Sequence, residues 1–173
     1  MGTSNLKIHH DRRWLLYWGQ RLGFPEQHYL RRWVLQTPWF SVRLHHWISS
    51  DDSRAPHDHS WWFWTLVLWG GYTDHSPCYP DRPADMPECR VERLDHLRTG
   101  SLRFRPANYR HWVEVREPCW TLLITGPVAR KFGFWLGRDR FLRANKYFFT
   151  YGHHAPRPGE APRRRRKIAE GVS

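Results

Sequence analysis

The chain has 173 residues, which suits a single domain able to bury its own core without disulfide or metal staples. Its formal net charge of +12, with 28 Lys plus Arg against 16 Asp plus Glu, favours anionic partners such as nucleic acid, nucleotides or carboxylated metabolites. Cys78, Cys89 and Cys119 form no C-x-x-C pair, no apolar h-region follows Met1, and no apolar run approaches the ~20 residues of a membrane helix. A disulfide scaffold, secretion and membrane insertion are therefore not indicated, and a cytoplasmic protein is expected. Aromatic residues make up 16% of the chain, twelve of them Trp, while the mean hydropathy is −0.77. The apolar material is thus concentrated in a few bulky rings, which suits a packed barrel or a lined pocket.

Along residues 12–20 and 26–36, Trp14, Leu15 and Trp18, then Tyr29, Leu30, Trp33 and Val34, recur at spacings near three and four. That period predicts two short N-terminal helices, the second entered at Pro25 and ended by Pro38. Residues 39–48 read as a strand, interrupted by Ser49-Ser-Asp-Asp-Ser53. The apolar run 57–69, closed by Gly70-Gly71, reads as a bent central strand, and the Pro-rich stretch 76–88 as a loop. Short strands are expected at about 90–95, 101–105, 109–116, 119–125 and 131–136, separated by turn residues. This rhythm predicts an all-β sandwich or small barrel. Residues 153–173, with the run Arg163, Arg164, Arg165, Arg166, Lys167, read as a disordered basic tail that offers phosphate contacts to nucleic acid.

The chemistry concentrates at His57-Asp58-His59. On a strand, side chains at i and i+2 face the same side, so both imidazoles can share one metal ion, and a third histidine from elsewhere would complete a facial set with open positions. Asp58 faces the other way, where a structural hydrogen bond suits it. Trp61 and Phe63 share the parity of the two histidines and are candidates to contact substrate. On the preceding strand, one of His45 and His46 faces inward by alternation; His46 and Arg43 are candidates for catalysis, with Tyr109, which shares the parity of His111. Arg103 and Arg105 alternate with apolar neighbours and could hold a substrate carboxylate or phosphate. No nucleophile elbow, P-loop or dinucleotide fingerprint is present.

These segments resemble the paired motifs of the cupin superfamily, G-x5-H-x-H-x3,4-E-x6-G and G-x5-P-x-G-x2-H-x3-N. His57, His59 and Gly70 fall on the first, and Gly100, Pro106 and His111 on the second. Asp51, Phe63, Asn108 and Val115 occupy positions where the pattern has Gly, Glu, Gly and Asn. The resemblance implies a cupin-like double-stranded β-helix over residues 39–152, preceded by a helical extension at 1–38 that packs on the barrel and followed by the basic tail. It also implies one divalent metal on His57, His59 and His111, and a homodimer paired through edge strands. With Phe63 at the acidic ligand position, the site is similar to the three-histidine centres of thiol and ring-cleaving dioxygenases. The resulting expectation is an Fe(II)-dependent oxygenase or dioxygenase acting on a small anionic substrate, aromatic molecules included. The alternatives are a non-redox isomerase, lyase or hydrolase using Zn, Mn or Ni, and a non-catalytic cupin shell that binds nucleic acid or a protein.

Overall fold

The computed structural model describes residues 14–23, 28–51, 55–78 and 91–151. Eleven strands and one helix follow in order: β1 (Leu15–Gly23), β2 (His28–Gln36), β3 (Ser41–Trp47), β4 (Phe63–Trp69), β5 (Gly71–Cys78), β6 (Val91–Arg98), β7 (Leu102–Arg105), β8 (Trp112–Glu114), β9 (Cys119–Thr125), β10 (Gly133–Trp135), β11 (Phe141–Arg143) and α1 (Ala144–Tyr151). Six strands form one antiparallel sheet in the order β1-β2-β3-β9-β4-β7. Opposite it lie a three-stranded sheet, β6-β5-β8, and a hairpin, β10-β11.

A single residue joins the two smaller pieces. His57 bridges antiparallel to both His111, just before β8, and Phe134 of β10. The bonds His57 N→His111 O (2.8 Å) and His111 N→His57 O (2.9 Å) close one side, and Asp58 N→Gly133 O (3.0 Å) with Trp135 N→Pro56 O (2.8 Å) close the other. The chain then crosses to the large sheet through residues 58–62 before β4 begins. Two facing antiparallel sheets, joined by strands that alternate between them, make this a cupin-like jelly roll.

The helices expected over 12–20 and 26–36 are strands where the structure describes them. Leu30 and Val34, the two buried residues of β2, are four apart, and four is two strand repeats as well as about one helical turn. Periodicity alone is ambiguous there, and β2 has a neighbour to pair with: seven registered residues join it to β3, so β1 and β2 extend the barrel's own sheet. The run expected as one strand from residue 57 starts as a strand only at Phe63. β5 occupies 71–78, overlapping the predicted loop at 76–88, whose remainder lies outside the described residues. Of the predicted strand 109–116, only Trp112–Glu114 is strand.

Two motif glycines have backbone reasons. Gly70 (φ 76°) turns β4 into β5, where a Cβ would meet Pro118 O and Cys119 Cβ at 2.9 Å. Gly100 (φ 85°) turns β6 into β7. No sequence expectation covers β11 or α1. α1 closes the end of the barrel beside the bridge: Tyr147, fully buried, stacks on Phe134 at 3.8 Å and clusters with Ala55 and Ala144. Packing behind Phe134 fixes the strand against which His57 is held.

Candidate metal centre

The three histidines converge. Their donor nitrogens lie within 4.8 Å of one another, and the ring centroids are 5.2 Å (His57–His59), 4.9 Å (His57–His111) and 5.1 Å (His59–His111) apart. Nε2 of His59 and Nε2 of His111 are 2.8 Å apart. Each ring comes from a differently built piece of backbone: His57 from the double bridge, His59 from the crossing segment, where its N–H donates to Ala107 O (3.0 Å), and His111 from the residue before β8.

Burial keeps the first two rings neutral. It pulls His57 down to about 3, with the charge of His111 adding to the effect, and lowers His59 well below the ordinary value. Neutral imidazole is the metal-binding form, so neither ring has a proton to displace near neutral pH.

Behind His111 stands a partner that no motif announces. Asp74 of β5, 2% exposed, accepts from His111 Nδ1 at 2.8 Å, which turns Nε2 toward the other two rings. A carboxylate behind a ligating imidazole orients the ring and raises its basicity. Asp74 in turn receives Nε (3.1 Å) and Nη2 (2.9 Å) of Arg105, whose Nη2 also reaches Asp95 at 2.8 Å, and Arg103 pairs with Asp95. Burial raises the Asp74 carboxyl, but His111 and Arg105 outweigh it, and the net shift is downward, so it stays ionised. The donor set therefore fits a divalent metal: three convergent ring nitrogens, one of them oriented by a buried carboxylate.

The remaining candidates divide. Phe63 lies 4.7 Å from His59 and 6.1 Å from His111, so a ring stands where the cupin pattern has its carboxylate. Trp61 stacks on His59 at 5.0 Å, and Phe134 closes the third side at 5.8 Å from His57. Tyr109 lies 5.2 Å from His111 beneath the Arg105 guanidinium (4.6 Å), with its phenol pKa raised by burial. Arg43 faces inward over Trp61 at 4.3 Å. His46 does not belong to this group: it faces outward and stacks on Trp120 at 4.3 Å, while His45 is the inward, buried member of the pair. Arg103 and Arg105 face inward, but Asp95 and Asp74 occupy them, so they brace His111 rather than await a substrate. Asp58 is structural: Gly133 N (2.9 Å) and Trp135 Nε1 (3.0 Å) donate to it, and Arg130 pairs with it at 2.9 Å. Arg163, Arg164, Arg165, Arg166 and Lys167 lie outside the described residues.

Sequence reasoning misses Asp74 because the prolines after residue 76 hide β5; the usable signal is the alternation Tyr72, Asp74, Ser76 after a Gly-Gly turn. Asp51, at the position of the first motif's glycine, is a departure from the pattern, yet its carboxylate lies 3.8 Å from His57 Nδ1 and accepts from Val113 N at 3.3 Å.

Fold and donor set together define a cupin-like jelly roll with a three-histidine group placed to hold a metal ion. No family model matches the chain, and no curated protein matches it. Solved structures similar to it include the Fe(II) form of HppE, at 14% identity over 61% of this chain and 54% of that one with a TM-score of 0.45. A single-residue variant of oxalate decarboxylase from Bacillus subtilis matches at 13% identity, covering 57% of this chain and 26% of that one, TM-score 0.43. A cupin superfamily protein from Desulfitobacterium hafniense matches at 14%, covering 56% and 76%, TM-score 0.39. The chain thus spans about half, or less, of the length of the first two. Among the described residues no helix is long and apolar enough to cross a membrane.

Proposed function

We propose that this chain is a metal-dependent cupin enzyme, an Fe(II) oxygenase acting on a small anionic molecule. The observation that carries the reading is the convergence of His57, His59 and His111 with Asp74 behind His111. Three neutral nitrogens leave a divalent ion its full positive charge and open positions, and iron so held supplies dioxygen activation when bound. The protein's own part is to shape what surrounds it. Trp61, Phe63 and Phe134 wall the histidines with rings, limiting water at the reacting centre. Tyr109, kept protonated by burial, places a phenol near His111 that can donate a hydrogen bond to a substrate oxygen.

The test is elemental analysis of protein purified without added metal, joined to oxygen uptake with small acids. One iron per chain, lost in His57→Ala, and acid-dependent oxygen consumption are the expected results. Tightly held zinc without oxygen uptake would favour the non-redox reading, which the same nitrogens also fit. A chain that takes up no metal on reconstitution would overturn both.

We further propose that two copies pair through the outer face of the six-stranded sheet. Register places Leu35, Val42, Ile124, Trp64 and Phe104 in one row across five strands, with Trp33, Leu44, Leu122, Leu66 and Leu102 in the next. Neither row contains a charge, and Ile124, Trp64, Phe104 and Leu102 are 43–52% exposed. Monomers rarely expose more than a few hundred Å² of contiguous apolar surface, whereas ten large side chains approach the ~800 Å² per partner of a standard interface. A face uncharged along these two rows offers a two-fold copy of itself the same chemistry in return. Light scattering should give twice the 21.0 kDa chain mass, and the double substitution Trp64→Glu, Ile124→Lys should return it to the monomer value. A wild-type monomer at all concentrations, or a dimer indifferent to that change, would contradict this pairing.

A further inference from the structure

The inner wall of the six-stranded sheet holds two polar side chains that metal binding does not use. Arg43 of β3 donates from Nε to Ser41 Oγ (2.9 Å) and lies over the Trp61 ring, but no carboxylate among the described residues pairs with it. The contrast with β7 across the same sheet is direct, since Arg103 and Arg105 are both matched by acids. Two residues further along β3, His45 is 6% exposed, and neither Nδ1 nor Nε2 has a hydrogen-bond partner. Its cross-strand neighbours on that face are Arg32, whose Nε is taken by Gln20 Oε1 (2.9 Å), and Thr121.

Each feature is costly without a ligand. A guanidinium surrounded by protein and lacking a counter-charge is destabilised, as its fall to about 9 through burial and the nearby Arg32 reflects. A buried imidazole with both nitrogens unpaired forfeits its hydration for nothing in return. A single carboxylate would relieve both, accepting charge-assisted hydrogen bonds from the guanidinium and an N–H bond from the ring. Side chains at i and i+2 of a strand stand about 6–7 Å apart on one face, a span that one small acid can bridge. The site adjoins the metal centre, since Trp61 contacts both the Arg43 guanidinium and the His59 ring.

We propose that Arg43 and His45 form the binding site for the carboxylate of a small organic acid, with Trp61 stacking on its apolar part, beside the three-histidine centre. This deepens the enzyme reading above and rests on it for the role of the bound acid as substrate. The Arg43 guanidinium and the His45 N–H supply the donor pair that the two oxygens of one carboxylate can take up.

The experiment is calorimetric titration of the full chain with benzoate, with its neutral isostere benzamide and with inorganic phosphate, before and after metal removal. Benzoate should bind, at least tenfold more weakly to Arg43→Gln and three- to tenfold more weakly to His45→Leu, with partial recovery in Arg43→Lys. Benzamide and phosphate should bind at least tenfold more weakly than benzoate. Thermal melts confirm that the variants are folded, and if Arg43→Gln is not, the comparison of Arg43→Lys with His45→Gln carries the test. No benzoate binding, equal affinity in wild type and Arg43→Gln, or equal affinity for benzamide or phosphate overturns the proposal. The two readings fail separately: Arg43-dependent benzoate binding by a chain that takes up no metal keeps this site and ends the metalloenzyme. Metal uptake with Arg43-independent benzoate binding does the reverse.

Discussion

On the inner face of the six-stranded sheet, Ser41, Arg43 and His45 of β3, Thr121 and Thr125 of β9 and Thr65 of β4 stand among the buried apolar side chains Leu30, Val34, Phe63, Val67 and Leu123. On the outer face of the same strands stand Val42, Leu44, Leu122, Ile124, Trp64 and Leu66. A sheet with one face on a core and one in water normally keeps its polar residues outside. Here the inner face mixes polar with apolar side chains and the outer face is apolar, so neither face is an ordinary one. The inside is built around polar ligands, a metal and an acid in our reading, with hydrogen bonds such as Ser41 Oγ to Thr125 Oγ1 (2.7 Å) and Trp47 Nε1 to Thr121 Oγ1 (3.2 Å) satisfying its hydroxyls. The outside is the face that seeks cover.

Substitutions on the two faces should therefore fail in different ways. The largest effect is expected inside, at the second wall: Asp74→Ala leaves Arg105 buried without its main partner and His111 unoriented. Urea denaturation should show a loss of about 3–5 kcal/mol, and metal uptake should fall with it; a loss under about 1 kcal/mol would mean that the buried acid does not brace the site. Phe63→Ala removes a ring that is 4% exposed and touches His59, and should cost about 3–5 kcal/mol by the same measurement. A small effect there would show that the inner face has no packed core of its own. Outside, Leu102→Ser should change the stability of the isolated chain by no more than about 0.5 kcal/mol, while raising the dimer dissociation constant measured by sedimentation. A matching loss in folding stability would make that face part of the core instead. The smallest effect concerns Cys119, fully buried at the inner end of β9, whose thiol burial pushes up to about 11. In a Cys78→Ser, Cys89→Ser background it should label with a thiol reagent only on denaturation, and rapid native labelling would show that the inner end is open.

The two faces also separate the sequence expectations that the structure bears out from those it corrects. The order and spacing of His57, His59 and His111 require only that a motif be matched, and the rings do converge. Phe63 and Trp61 follow from parity with His59 and lie against it. His45 and His46 cannot be separated by alternation alone, because the apolar residues Val42 and Leu44 share the parity of His46. Ordinary expectation turns such a set toward the core, and here it faces out. The inward placement of Arg103 and Arg105 is not legible, because the acids that hold them lie on β5 and β6, across the barrel. The helical reading of 26–36 fails because Leu30 and Val34 satisfy either period, and only the presence of β3 as a pairing partner selects the strand.

By itself, then, the order of residues determined the rhythm of short strands, the turn glycines Gly70 and Gly100, and which three histidines converge. These depend on local backbone geometry and fixed spacings, which a single chain displays directly. The placement of Asp74 behind His111, the occupation of Arg103 and Arg105, the lack of an acid for Arg43 and of a partner for His45 among the described residues, and the apolar outer face were decided only in three dimensions. Each depends on which strands become neighbours, and that choice is made by the summed pairing and burial of distant segments, not by any local stretch.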